Sequence, residues 1–206
     1  MSPAKVPGTE GYANAAQTLI ARWRAISFAE HHQAVLHHLP GRPSRILDVG
    51  AGIGSDAAAL AAMGHSVVAV EPVDELRDAA KNLHAMANVA WLDDSLPALE
   101  SLLSKKETFD IVLLTAVWMH LDEAQRSQGM PVVSRLLHKG GKLLMSLRHG
   151  PIPPGRRMFD VSAEEAIRLA GAHDLKLVFE CLAESVQLIN RDNGVRWTRL
   201  VFEKVN

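Results

Sequence analysis

The chain has 206 residues, with 22 Lys and Arg against 23 Asp and Glu, so its formal net charge is −1. That length corresponds to one domain, or one domain with a small attachment, and 48% apolar with 22% charged residues excludes global disorder. The balanced charge argues against nucleic acid or an anionic membrane as the main partner, since both call for a basic surface, and a lone cysteine, Cys181, excludes an intrachain disulfide framework.

Met1 to Gly8, with two prolines and a glycine, reads as a loose tail without the apolar run of a secretory leader, so the expected location is the cytoplasm. The longest apolar stretch, Ile111 to Met119, is broken by Thr115 and falls short of the roughly 20 residues that cross a bilayer. Tyr12 to His38 has helical periodicity through Leu19, Trp23, Ile26, Ala34 and Leu36, as one helix or two. Leu39-Pro40-Gly41-Arg42-Pro43 ends it, because proline lacks the donor a helix needs. Residues 1–40 are therefore read as a helical cap or lid, and 41–206 as the main domain.

From there the rhythm changes. Short β-branched runs at Arg45–Val49, Val67–Val70, Val89–Leu92, Phe109–Leu114 and Lys142–Leu147 alternate with helical stretches at Ser55–Met63 and Val73–His84. Asp122 with Gln125 forms a capping box opening a helix that stops before Gly140-Gly141, and Ser162 with Glu165 opens the last helix. Leu177–Cys181 and Trp197–Val205 read as two further strands, with Asn193-Gly194 as the turn of an antiparallel hairpin. Apolar strands separated by helices predict a doubly wound α/β domain whose mostly parallel sheet is covered on both faces.

In such a sheet, ligands bind outside the carboxyl ends of the strands. The first strand runs into Asp48-Val49-Gly50-Ala51-Gly52-Ile53-Gly54-Ser55, where glycines permit a sharp turn and close approach to a ligand. The dinucleotide fingerprint needs glycine at position 55, which is Ser55, and a pyrophosphate gains nothing from Asp48. A dehydrogenase is disfavoured on both counts. Glu71, about 20 residues beyond the glycines and followed by Pro72, suits the two hydroxyls of a ribose. Asp93, Asp94 and Ser95 end the third strand, where a carboxylate can accept from an adenine amino group or cap a helix.

Together these residues resemble the class I S-adenosylmethionine-dependent methyltransferases. The likeness runs through Ile46 to Gly54, Val70-Glu71-Pro72, the aspartates after the third strand, Phe109 to Leu114, and Leu136 to Leu143. It implies a Rossmann-like seven-stranded sheet of order 3-2-1-4-5-7-6, with an N-terminal helical cap. It also implies S-adenosylmethionine as cofactor and S-adenosylhomocysteine as product. Asp48, Gly50, Ala51 and Gly52 would lie against the methionine part, Glu71 and Pro72 at the ribose, and Asp93, Asp94 or Ser95 at the adenine. Thr115 and Ala116 would face the sulfonium. Tyr12 and Arg24, with Arg22, are candidates for the cofactor's carboxylate from the lid.

The Asn-Pro-Pro-Tyr type of motif for amino-directed nucleic-acid methylation is absent, so a small-molecule acceptor is expected, in a monomer or homodimer. His120 is the candidate general base. Trp118, Arg148 and His149 are candidate acceptor contacts, and the basic loop Leu147 to Arg157 suits an anionic substrate. No metal is expected, because no pair among His31, His32, His37 and His38 has the three- or four-residue spacing that joins side chains on a helix. Two other uses of the same pocket stay open: a different reaction of the sulfonium, such as cyclisation or elimination, and a non-catalytic binding module.

Overall fold

The structure, a computed structural model, describes residues 6–206; the tail expected at Met1 to Lys5 lies outside them. β1 (Arg45–Val49), β2 (Ser66–Val70), β3 (Val89–Leu92) and β4 (Phe109–Leu114) pair in parallel, in a register that sets Ile46 beside both Val67 and Ile111. β5 (Leu137–His149) continues parallel to β4. β7 (Arg196–Lys204) runs antiparallel between β5 and β6 (Leu175–Glu184). The resulting order is β3-β2-β1-β4-β5-β7-β6, the order the family resemblance implies.

Strand alternation divides the apolar residues between two cores. Leu47, Val49, Val68, Val70, Val112 and Leu114 enter one cluster; Ile46, Val67, Ala69, Ile111 and Leu113 enter the other. With both faces covered, the central strands are apolar at almost every position. The crossovers carry α3 (Ser55–Ala62), α4 (Asp74–Leu83), α5 (Glu100–Ser104), α6 (Glu123–Arg135) and α7 (Ala163–Gly171). α6 opens on a complete capping box between Asp122 and Gln125, and the Ser162 hydroxyl accepts from Glu165 N–H at the start of α7.

Two sequence readings are corrected. The Gly140-Gly141 pair does not stop a helix: α6 ends at Arg135, and β5 passes through both glycines with a bulge that shifts its register from Phe109↔Leu137 to Ile111↔Lys142. Asn193-Gly194 is not a two-residue hairpin turn, because a short helix, α8 (Leu188–Asp192), is inserted between β6 and β7, and Asn193-Gly194 ends it.

The N-terminal segment splits into α1 (Tyr12–Trp23), α2 (Phe28–His32) and a 3-10 turn at Leu36–His38. Phe28 and Val35 are buried in the same cluster as Ile46 and Leu60, so this half covers the sheet. α1 instead places Ala16 with Ile53, Val73 and Leu76, beside the glycine turn and the start of α4. No helix among the described residues is long and apolar enough to cross a membrane.

Candidate active site

The carboxyl ends of β1, β2 and β4 open into a cavity of about 390 Å³, whose wall also includes residues of α1 and of the segment after β5. Asp48, Gly50, Ala51, Gly52, Glu71, Pro72, Asp94, Ser95, Thr115 and Ala116 all line it. The glycine turn is left-handed at Gly50 and Gly54, with φ +71° and +75°. A Cβ on Gly50 would stand 2.5 Å from Val117 Cγ2, and one on Gly54 would stand 2.7 Å from the Trp91 ring. Both positions therefore require glycine for packing as well as for backbone conformation.

Three carboxyl groups gather at the floor. Asp48 is 2% exposed, and its Oδ2 has no hydrogen-bond partner among the described residues. Burial, with Asp56 and Glu71 nearby, raises its pKa well above the carboxylate range. Glu71 accepts from Gly52 N–H at 2.7 Å and from Val73 N–H at 2.9 Å. Burial still pushes it up to about 7. The Glu71 side chain thus fixes the glycine turn that precedes it in the chain. Asp94 accepts from Ser95 N–H and Leu102 N–H at 2.8 and 3.0 Å, so it organises its own loop while facing the cavity.

Asp93 does not face the cavity. Its side chain is 67% exposed and stands 3.4 Å from Arg77, so the placement expected of it is corrected: of the three residues, only Asp94 and Ser95 line the cavity.

α1 brings Tyr12, Leu19, Arg22 and Trp23 to the cavity wall, a spacing of seven, three and one that defines one helix face. Arg22 and Arg24 are both exposed, and only Arg22 reaches the cavity wall, since positions two apart on a helix point to nearly opposite sides. The end of the expected loose tail is also corrected: Val6, Pro7 and Gly8 line the cavity, and Gly8 N–H donates to Glu10 Oε2 at 2.7 Å.

Trp118 is fully buried in the larger core and lines no cavity, so it is not an acceptor contact. Its neighbours Val117 and Met119 face the cavity instead. His120 does line it. His120 Nδ1 lies 2.8 Å from the Arg157 carbonyl, which only accepts, so Nδ1 carries the proton and Nε2 accepts from the Tyr12 hydroxyl at 2.9 Å. Burial lowers the His120 pKa and raises that of Tyr12 to about 12. The Arg156 guanidinium stacks 3.9 Å over the Tyr12 ring.

Arg148 reaches the cavity, whereas His149 belongs to a second cavity beyond it, with Nε2 2.9 Å from Thr198 Oγ1. Residues that sequence spacing did not flag come from distant segments: His31 of α2, Asp56 of α3, Met158, and Gln187 and Asn190 around α8. His32 Nε2 lies 2.7 Å from Asp56 Oδ2, and ligand-capable atoms of His31, His32 and Asp56 fall within 4.8 Å of one another. Although burial works to raise Asp56, the His32 imidazole holds it below its ordinary value, and burial lowers His31 to about 4.

Residues 46–141 match the sequence family described as a methyltransferase domain. An uncharacterized methyltransferase of Mycobacterium tuberculosis is 33% identical over 112 residues, 51% of this chain and 40% of its own length. The ubiquinone biosynthesis O-methyltransferase of Xylella fastidiosa is 30% identical over 136 residues, 65% of this chain and 54% of its own length. The chain thus spans less than two thirds of these relatives. Among solved structures, the Burkholderia thailandensis 1,6-didemethyltoxoflavin-N1-methyltransferase, with its substrate and S-adenosylhomocysteine bound, superposes with a TM-score of 0.73. That match has 20% identity and covers 100% of this chain and 93% of that one. The magnesium protoporphyrin IX methyltransferase of Synechocystis gives 0.69 at 16% identity, over 99% and 100% of the two chains. These structural likenesses are likenesses of fold.

Proposed function

We propose that the chain is a class I S-adenosylmethionine-dependent methyltransferase, an enzyme that moves a methyl group from S-adenosylmethionine to a small-molecule acceptor. The observation that carries this reading is the convergence of Asp48, the Gly50–Gly54 turn and Glu71 on one cavity. Their chemistry fits the cofactor. The unpartnered Asp48 oxygen suits the ammonium of the methionine part, and Glu71 suits a pair of ribose hydroxyls. Gly50 and Gly52 bring their backbone to the cavity wall, and Asp94 with Ser95 on the same wall would border the adenine.

The cofactor, when bound, supplies a methyl carbon already activated by a sulfonium. Little is left for the protein beyond holding the acceptor in line and keeping water out. α1 and the segment after β5 perform that exclusion, with Tyr12 and Arg156 stacked where the two meet. His120, held neutral as the Nδ1–H tautomer, offers Nε2 as the proton acceptor for a nucleophile that arrives protonated. Arg148 on the wall favours an anionic acceptor.

Calorimetry with S-adenosylhomocysteine and with NAD tests the cofactor reading. S-adenosylhomocysteine is expected to bind and NAD is not, and the reverse result refutes the assignment. Product analysis on the turning-over enzyme then separates methyl transfer from cyclisation, elimination or binding without turnover.

A further inference from the structure

A cavity of about 390 Å³ sits near the lower end of the roughly 300–1,000 Å³ that encloses one drug-sized ligand. The cofactor alone uses such a space, so an acceptor needs room beyond it. That room exists. A second cavity of about 350 Å³ shares Met119, Arg148 and Met158 with the first. Met119 belongs to the segment after β4, which also lines the first cavity through Thr115, Ala116 and His120, so the two cavities meet at the carboxyl end of that strand.

The chemistry of the second cavity is divided. Ile152, Met158 and Phe159 supply apolar surface, and Ile152 is 51% exposed, so the space opens outward. Arg148 supplies a guanidinium whose hydrogen bond is to the Gly150 carbonyl at a long 3.3 Å, and it makes no ion pair among the described residues. Asp160 also lines this cavity, but it stands by His149 Nδ1 at 3.6 Å with its side chain 93% exposed and forms no ion pair with Arg148. Arg156 and Arg157 are engaged elsewhere: Arg156 donates to the Glu10 carbonyl and stacks on Tyr12, and Arg157 pairs with Asp122. Arg148 is also partly desolvated, which lowers its pKa and makes an incoming anion favourable.

We propose that this second cavity is the acceptor site, and that it takes a small molecule with an apolar body among Met119, Ile152, Met158 and Phe159 and an anionic group on Arg148. The inference rests on the methyltransferase reading. It adds the place and the chemical class of the acceptor.

The probes are benzoate, an apolar ring with a carboxylate, and benzamide, its uncharged counterpart, added to protein saturated with S-adenosylhomocysteine. Methyl NMR of labelled methionines reports Met119 and Met158. Benzoate should shift both signals, and bind at least about tenfold more tightly than benzamide, as one charge-assisted contact implies. Arg148→Gln should remove that preference, while Arg148→Lys, which retains the charge, should keep part of it. Benzoate that displaces S-adenosylhomocysteine overturns the proposal. So does an Arg148→Gln variant that loses S-adenosylhomocysteine but keeps methylthioadenosine, because Arg148 then serves the cofactor's own carboxylate. Absence of any shift at Met119 and Met158 also overturns it. Failure of S-adenosylhomocysteine itself to bind shows up in the first titration and refutes the underlying reading, and this proposal with it.

Discussion

The Tyr12 hydroxyl stands 2.9 Å from His120 Nε2, joining the first helix to the segment that follows β4. The Arg157 carbonyl fixes the proton on His120 Nδ1, so Tyr12 is the donor, and burial favours its neutral form. Tyr12 is the chain's sole tyrosine. A near-ultraviolet absorbance titration therefore reads this group alone, and its midpoint is expected at about 12. A midpoint at the ordinary value of about 10 would show the hydroxyl to be in water. Tyr12→Phe keeps the ring under Arg156 and removes the donor, so it should weaken S-adenosylhomocysteine binding by a modest factor without unfolding the chain.

Glu71 is expected to govern both the strength and the pH dependence of cofactor binding. Its pKa of about 7 in the free protein means that a large share is protonated near neutrality. Hydroxyl donors from a ribose favour the carboxylate, so binding expels a proton and affinity should rise between about pH 6 and pH 8. Glu71→Gln should flatten this rise. Glu71→Ala should cost roughly 1.5–3 kcal/mol per lost charged hydrogen bond, or about 10- to 150-fold each in affinity. An affinity unchanged in the folded alanine variant, or one that falls with rising pH, would remove Glu71 from the site.

Acid should destabilise the fold through its buried histidines. Burial lowers His31 to about 4 and also lowers His120, so below the unfolded value of about 6.5 the unfolded chain binds more protons at both positions. Their contribution is complete above about pH 6.5 and declines below it, that of His31 until about pH 4. Urea unfolding across that window should show the decline, and His31→Gln should make it shallower. A decline of the same slope in the variant would assign the effect to other groups.

Local signals in the sequence carry β1 to β4 well, because each is short, largely apolar and punctuated, whereas β5 and β6, at 13 and 10 residues, extend beyond the Lys142–Leu147 and Leu177–Cys181 read from the sequence. β1, β3 and β4 have the limits read from composition alone. The errors came where a residue type has two uses. Gly140-Gly141 serves a bulge where it reads as a helix stop, and Trp118 fills the core where its neighbours line the cavity. Arg22 and Arg24 are both exposed, and helix phase brings only Arg22 to the rim of the cavity. The His31, His32 and Asp56 grouping was invisible because 24 residues and a strand separate His32 from Asp56.

The glycine turn offers a test with an internal control. Gly54 and Gly64 both have positive φ, +75° and +92°, so alanine at either carries the left-handed backbone cost of about 1–2 kcal/mol. Only Gly54 has neighbours at the Cβ position: the Trp91 ring at 2.7 and 2.9 Å and Ala80 Cβ at 3.2 Å. Gly54→Ala should therefore lower the melting temperature clearly more than Gly64→Ala. Equal shifts would mean that Trp91 moves aside without cost.

The last prediction separates the two halves of the N-terminal segment. α1 faces the cavity through Tyr12, Leu19 and Trp23, whereas Phe28 and Val35 are buried with Ile46, Leu60 and Ile111 against the sheet. Burying Phe28 and Val35 contributes roughly 1.5–3 kcal/mol each, a large part of the 5–15 kcal/mol that holds a domain together. Deleting residues 1–40 should therefore destabilise the fold as a whole and abolish binding for that trivial reason. Deleting residues 1–24 leaves this packing in place and removes the α1 wall of the cavity together with the smaller contact of Ala16 with Ile53, Val73 and Leu76. It should give a cooperatively melting protein, a few degrees less stable, with S-adenosylhomocysteine affinity reduced at least about tenfold. Melting curves and calorimetry on both truncations check it. If the shorter deletion binds S-adenosylhomocysteine as tightly as the full chain, α1 is a cover for the scaffold and not a lid over the cofactor.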